Sequence, residues 1–424
     1  MAVIPIKPGM IIEGVVSQHA EEAAFLWLLR EAAIDLPNYS LTDLAELDMR
    51  LEANLEGLRI GGEAGWEICK RALDKGDAGE VFAAAILAFE SGNVARIQEV
   101  LESGSCVPEL SKGIASALGW LDYDQAQGQI NQLLNAESPD HRHLGISACA
   151  LHRQDPGKPL IDALSDNNPL HKARALRCVG ELGRTDLLSF LRKNLTTDDQ
   201  MCRFFSAWSA ALLAGDPNAV DLLKSIAESD APFREAAAHM ALRRMKINDA
   251  DAWLKKLGRN LDQLPLAITS AGVLGDPERI PWLIEQMQVP EQAQIAGEAF
   301  TTITGVEITY ELAMMVEARV VDEEEELGDI QSEDEGVEID SGRNLTRPDP
   351  AAVQKWWTNH QSQFLKGTRS LVGQPIGVEW LQQVLRTGRQ RQRAAAALEL
   401  AIRQPGKPLF EVRAPGFRQR QLLG

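Results

Sequence analysis

The chain has 424 residues, 45 % of them apolar and only 5 % aromatic, with 61 acidic against 43 basic side chains and a formal charge of −18. That length and apolar content exclude a chain too polar to build a core, and no apolar run reaches the roughly 20 residues of a bilayer-spanning helix. The acid surplus opposes direct binding of a polyanion such as DNA or RNA.

The N-terminus carries Pro5, Pro8 and Glu13 where a signal peptide would carry an apolar core, so a cytoplasmic protein is expected. The five cysteines, Cys69, Cys106, Cys149, Cys178 and Cys202, form no CxxC pair and read as buried free thiols in a reducing compartment. From His19 to Ala33, Phe25, Leu26, Leu28 and Leu29 follow an amphipathic pattern that ends at Pro37-Asn38. Ser40 with Asp43 three residues later opens a longer helix through Leu44, Leu47, Leu51, Leu55 and Leu58. Residues 1–80 are predicted to be a helical cap that shields one end of a repeat array.

Residues 81–317 are predicted to be that array, built of helical hairpins. One phrase recurs in them: an Ala-rich apolar run, a break carrying Gly and Asp, often Asp-Pro, and a second run rich in Leu. Phe204 to Ala214 breaks at Gly215-Asp216-Pro217 and resumes at Val220, Leu222 and Leu223; Leu266 to Leu274 breaks at Gly275-Asp276-Pro277 and resumes at Ile280, Trp282 and Leu283. Other breaks fall at Asp122, at Asp155-Pro156, at Gly183 to Asp186 and at Asn248-Asp249. The spacing of about thirty residues is the length of one hairpin and lies in the range of solenoid repeats. Gly supplies a left-handed C-cap, and Asp followed by Pro supplies an N-cap and a first turn. Small residues such as Ala207, Ala210 and Ala211 let neighbouring first helices approach closely. One hairpin cannot bury its apolar face alone, so the copies must stack. Thr301 to Tyr310 is the one β-rich patch.

Residues 318–349 are expected to be an acidic, flexible linker. Positions 322–340 hold eleven acids and no base, including Asp322, Glu323, Glu324, Glu325, Glu326, Glu333, Asp334 and Glu335. Residues 350–424 are expected to be a basic helical segment, since positions 342–424 carry fourteen bases against four acids, leaving −17 on residues 1–321. A helix bearing Val353, Trp356, Trp357 and Phe364 should anchor this segment on the array, and a long helix should run from about Val378 to Arg403. The cluster Arg386, Arg389, Arg391, Arg393 has two readings, a nucleic-acid contact or a contact with the chain's own acidic surface. The intervening Gln390 and Gln392, four alanines and the acidic body favour the second.

No nucleophile elbow, Walker loop, dinucleotide fingerprint or His-Glu metalloprotease motif is present, so neither catalysis nor a cofactor or metal is expected. His141 and His143 flank Arg142 in what reads as a surface loop, and Glu235 with His239 reads as a structural pair on a repeat helix. The chain is therefore expected to act by binding another protein over an extended surface. From charge alone, the contact residues are the eight acids of the linker named above together with Arg389, Arg391 and Arg393.

The Gly-Asp-Pro breaks and their flanking runs resemble HEAT-like repeats of the phycobilisome-lyase type, giving an all-α fold: an α-solenoid of helical hairpins with an N-terminal cap and a C-terminal segment after the linker. His19 to Trp27, Leu47 to Ala53 and Gly388 to Ala396 resemble signatures of a bacterial HEAT-repeat family that accompanies type VI secretion spike and effector genes. That family carries no assigned catalytic residues. The resemblance implies a cytoplasmic immunity protein that neutralises a toxin, such as a nuclease with a basic cleft, or an adaptor that loads an effector or spike component; a lyase-type enzyme is the further alternative.

Overall fold

The computed structural model describes residues 11–309, 312–313 and 345–424. Three helices open it: α1 (Glu13–Ala33), α2 (Leu41–Gly61) and α3 (Glu63–Ala72). Hairpins then follow in series, pairing α4 (Ala78–Ser91) with α5 (Val94–Gly104), α6 (Pro108–Trp120) with α7 (Tyr123–Leu134), and α8 (Pro139–Leu151) with α9 (Lys158–Ala163). They continue with α10 (Pro169–Glu181) and α11 (Leu188–Asn194), α12 (Gln200–Ala214) and α13 (Pro217–Ala227), α14 (Arg234–Arg244) and α15 (Ile247–Leu257), and α16 (Leu264–Leu274) and α17 (Ile280–Gln286). Helix α18 (Ala293–Thr304) ends the array. The first helices α1, α4, α6, α8, α10, α12, α14, α16 and α18 stack on one another in order, and the second helices form the other layer. This is an all-α solenoid.

The sequence logic of the breaks holds locally. Gly215 ends α12 in the left-handed conformation at φ 58°, and Asp216 accepts the N–H groups of Asn218 and Ala219 with Pro217 in the first turn. Gly275 and Asp276 repeat the arrangement. Ser40 and Asp43 form the expected capping box. One continuous core runs from Val16 to Trp357 through both layers, so α1 and α2 pack into the same core as the hairpins.

Several expectations need correction. The break placed at Asn248-Asp249 falls at Met245 and Lys246, where Met245 turns extended before α15 starts. Thr301 to Thr304 are helical, because Phe300 and Ile303 are fully buried and the Thr304 hydroxyl donates to the Phe300 carbonyl at 2.8 Å. His141 and His143 lie on α8, not in a loop. Cys106 is exposed, whereas the other four free thiols are buried.

After residue 345 come α19 (Pro350–His360), a two-stranded hairpin of β1 (Ser370–Leu371) and β2 (Gln374–Pro375), α20 (Val378–Thr387), α21 (Gln390–Arg403) and α22 (Gly416–Leu423). The single helix expected from Val378 to Arg403 is thus two. The backbone is extended at Gly388, where a Cβ would lie 2.7 Å from the Val384 carbonyl, and Gln392 caps the new helix by accepting the Arg389 N–H. Helices α20 and α21 bury Leu381, Val384, Leu385, Ala396 and Ala397 in a second, smaller core. The tryptophan anchor forms as expected: Val353 and Trp357 are buried against the array and Trp356 meets Phe300 edge to face.

Candidate functional site

A helix leaves its last carbonyls without partners, and in this solenoid the first helices all end along one edge. The C-terminal segment runs back along that edge and supplies the missing donors. At α18, Val372 N–H donates to Thr302 and Gly373 N–H to Ile303; at α16, Ser370 N–H donates to Gly275 and the Arg369 guanidinium to Val273 and Leu274. At α10, Leu409 N–H reaches the Glu181 carbonyl, and at α6 the Arg418 guanidinium binds the carbonyls of Gly119, Trp120 and Leu121. At the opening hairpin, Asp48 accepts both the Gly416 N–H and Arg30 Nε, while Arg30 donates to the Arg413 and Ala414 carbonyls. Cations at helix C-termini also offset the negative end of the dipole. The segment's basic composition follows from these targets.

Carboxylates fix the same bases. Glu399, 2 % exposed, lies 2.6 Å from Arg369 and 3.7 Å from Arg243, and also pairs with Arg403. Burial alone would raise its carboxyl, but the three cations outweigh that and hold it low. Glu31 pairs with Lys112 and Arg413, Glu181 with Arg174 and Arg177, and Glu411 with Arg153. Burial likewise opposes ionisation of Glu181, yet Arg174, Arg177 and Arg153 bring it down to about 2.

The sequence-expected contact residues divide sharply. Asp322, Glu323, Glu324, Glu325, Glu326, Glu333, Asp334 and Glu335 lie outside the described residues. Arg389 binds Glu307 and the Asn38 carbonyl, and Arg391 binds Glu298 and the Asp35 carbonyl. Both therefore join the α1–α2 turn to the far end of the array, which is the self-contact reading of the basic cluster. Arg393 is a correction. It has no exposed surface, donates to the Leu385 carbonyl and to Gln390 and Gln419, and faces no partner in this conformation. Burial lowers its guanidinium to about 10.

Helix α21 packs on α12, its Leu398, Ala401 and Ile402 lying against the main core. Two cavities lie along the first-helix layer. The larger, about 490 Å³, opens between α14, α16, α18 and α21 around Glu235, His239, Val273, Ile295 and Leu398. Burial and Arg243 push His239 down to about 3, so it is neutral there. The other cavity, about 390 Å³, lies between α1, α6, α8, α10 and residues 411–415. Sequence reading missed it because Lys112, Arg174 and Arg177 look like ordinary surface charges. The available signal was charge at helical spacing, Arg174, Arg177 and Glu181, on a first helix that is otherwise mostly buried.

Residues 157–243, spanning α9 to α14, match the family of HEAT repeats. No curated protein matches the chain. HEAT repeats mark a protein-interaction scaffold, typically a non-catalytic one. Among the described residues no helix is long and apolar enough to cross a membrane, and no group of three or more His, Cys, Asp or Glu could hold a metal ion.

Proposed function

We propose that this scaffold is an immunity protein that binds a type VI secretion toxin, a nuclease with a basic substrate cleft, and blocks it sterically. The observation that carries the reading is the internal use of the C-terminal bases. Arg369, Arg389, Arg391, Arg393, Arg403, Arg413 and Arg418 all bond to the chain's own carbonyls, carboxylates or amides. The molecule therefore turns outward the acid surplus of residues 1–321, and Asp322 to Glu326 with Glu333, Asp334 and Glu335 extend that surplus in sequence. A negative surface steers a basic partner and speeds encounter, an effect that salt screens. The resemblance of both chain ends to a type VI-associated family supplies the context.

The test is deletion of the gene beside an intact copy of its neighbouring toxin. Self-intoxication relieved by the protein in trans supports immunity. A cell that stays healthy but no longer secretes the effector supports the adaptor reading instead, and unchanged viability and secretion overturn both.

A further inference from the structure

The smaller cavity holds more positive charge than its carboxylates consume, in a chain of opposite overall sign. Its walls are one face each of four first helices: Lys112 and Ser116 on α6, Asp140, His143, Ser147 and Leu151 on α8, Leu170, Arg174 and Arg177 on α10, Arg30 and Glu31 on α1, closed by Glu411 and Arg413 from the C-terminal segment. Glu31 Oε2 is shared, 3.0 Å from Lys112 and 3.0 Å from Arg413. The two oxygens of Glu181 take Arg174 at 2.9 Å and Arg177 at 2.8 Å. Arg30 is matched by Asp48, and Glu411 by Arg153. Arg30 also lies 3.6 Å from Glu31, so five cations of the wall (Arg30, Lys112, Arg174, Arg177, Arg413) face four acids (Glu31, Asp140, Glu181, Glu411), one positive charge in excess. Among the described residues Arg174 Nη2 and both terminal nitrogens of Arg177 keep no hydrogen-bond partner, and enclosed Nδ1 of His143 has none. Leu151, Leu170, Ala115, Pro108 and Pro415 make the rest of the lining apolar. Convergent polar groups in an otherwise apolar recess of this size fit a small-molecule site.

We propose that this cavity binds a small organic anion: a carboxylate or phosphate group held by Lys112, Arg174, Arg177 and Arg413, on an apolar body lying against Leu151 and Leu170. The buried carboxylates hold the cations in place before the ligand arrives, which lowers the ordering cost of binding. The site does not depend on what protein the scaffold binds. It is completed by Arg413 and Pro415, so occupancy also tightens the C-terminal segment on α1 and α10.

The test is calorimetric titration of the full chain at low salt with phosphate, phenyl phosphate, acetate and phenylacetate. One phenyl phosphate or phenylacetate per chain is expected, at least about tenfold tighter than the matching bare ion because of the apolar wall. Which of the two aryl anions binds better identifies the acid group. Lys112 and Arg177 side chains are 52 % and 42 % exposed, so Lys112→Gln and Arg177→Gln spare the core. Each should weaken the aryl anion about tenfold or more through loss of a charge-assisted bond. Leu170→Asp, at a site 44 % exposed, should abolish binding with the melting temperature kept. Lys158→Gln on α9, outside the cavity, should change nothing. Absence of saturable uptake of both aryl anions at about 10 mM, or uptake indifferent to these three cavity variants, overturns the proposal.

Discussion

Arg391 and Glu298 meet at 2.6 Å across 93 residues of sequence, and the same guanidinium donates Nε to the Asp35 carbonyl. One side chain therefore touches the first turn of the array and its last helix. Arg389 beside it does the same through Asn38 and Glu307. A solenoid in which each repeat contacts only its neighbours is an open spring; here the two ends are joined through the N-terminus of α21.

Reversing both charges, Arg389→Glu with Arg391→Glu, sets the two new carboxylates against Asp43, Glu298 and Glu307 at that junction. The native pairs are partly exposed and each contributes about 1 kcal/mol or less, so the melting temperature should fall by only a few degrees. Amide exchange in residues 35–40 and 293–304 should quicken while α8 and α10 stay as they are, and small-angle scattering should report a larger radius. Unchanged exchange at both ends would show that the junction does not hold the array closed.

Glu399→Ala should behave differently, because Glu399 is enclosed. Its loss strands Arg243, itself buried, and Arg369 without a counter-charge, a change that costs about 3–5 kcal/mol. Urea unfolding should show the loss as a lower midpoint. Adding Arg243→Met to the variant should recover part of it, since one uncompensated buried charge is removed. An unfolding free energy within about 0.5 kcal/mol of wild type would contradict this role.

Protonation gives a separate readout. His143, His152 and His171 are driven down to about 4 by burial, and His239 to about 3. The unfolded chain binds those protons near pH 6.5, so the stability tied to the neutral rings is complete above that value and is lost as pH falls toward 4 and 3. Glu181, held at about 2, adds a contribution present above about pH 4.5 and lost between there and 2. Melting temperature should therefore decline steadily from pH 7 to pH 4. His171→Gln should flatten that slope by one proton, and an unaltered slope would remove His171 from the set.

How much of this could be read from the sequence depended on range. Gly215-Asp216-Pro217 was legible because a left-handed cap, an Asx cap and a proline first turn are decided within a few residues. The Trp356-Trp357 anchor was legible because large apolar side chains seek cover. The targets of the C-terminal arginines were not, since Arg418 binds carbonyls almost 300 residues away and free helix-end carbonyls have no residue signature. The contrast of −17 against +10 pointed to docking without saying where. Arg393 was misread because a cluster of arginines looks uniform in sequence, while on α21 successive positions face the outside, the array and the small core in turn.

The two-layer stacking also explains why the glycines matter unequally. A Cβ on Gly113 of α6 would sit 2.4 Å from the Ala78 carbonyl of α4, backbone that cannot move without spreading two stacked helices. Gly128 of α7 is exposed, with nothing within 4 Å of the same position. Gly113→Ala should therefore cost about 1–3 kcal/mol through overpacking. Gly128→Ala should stabilise the protein by about 0.5–1 kcal/mol, because alanine removes the entropic cost of a glycine inside a helix. The pair sets close helix approach in the first-helix layer against helix propensity on an exposed second helix. If Gly113→Ala proves neutral or stabilising, the layer is looser than the Ala78 contact implies, and close approach through small residues is not what sets the stacking of α4 on α6.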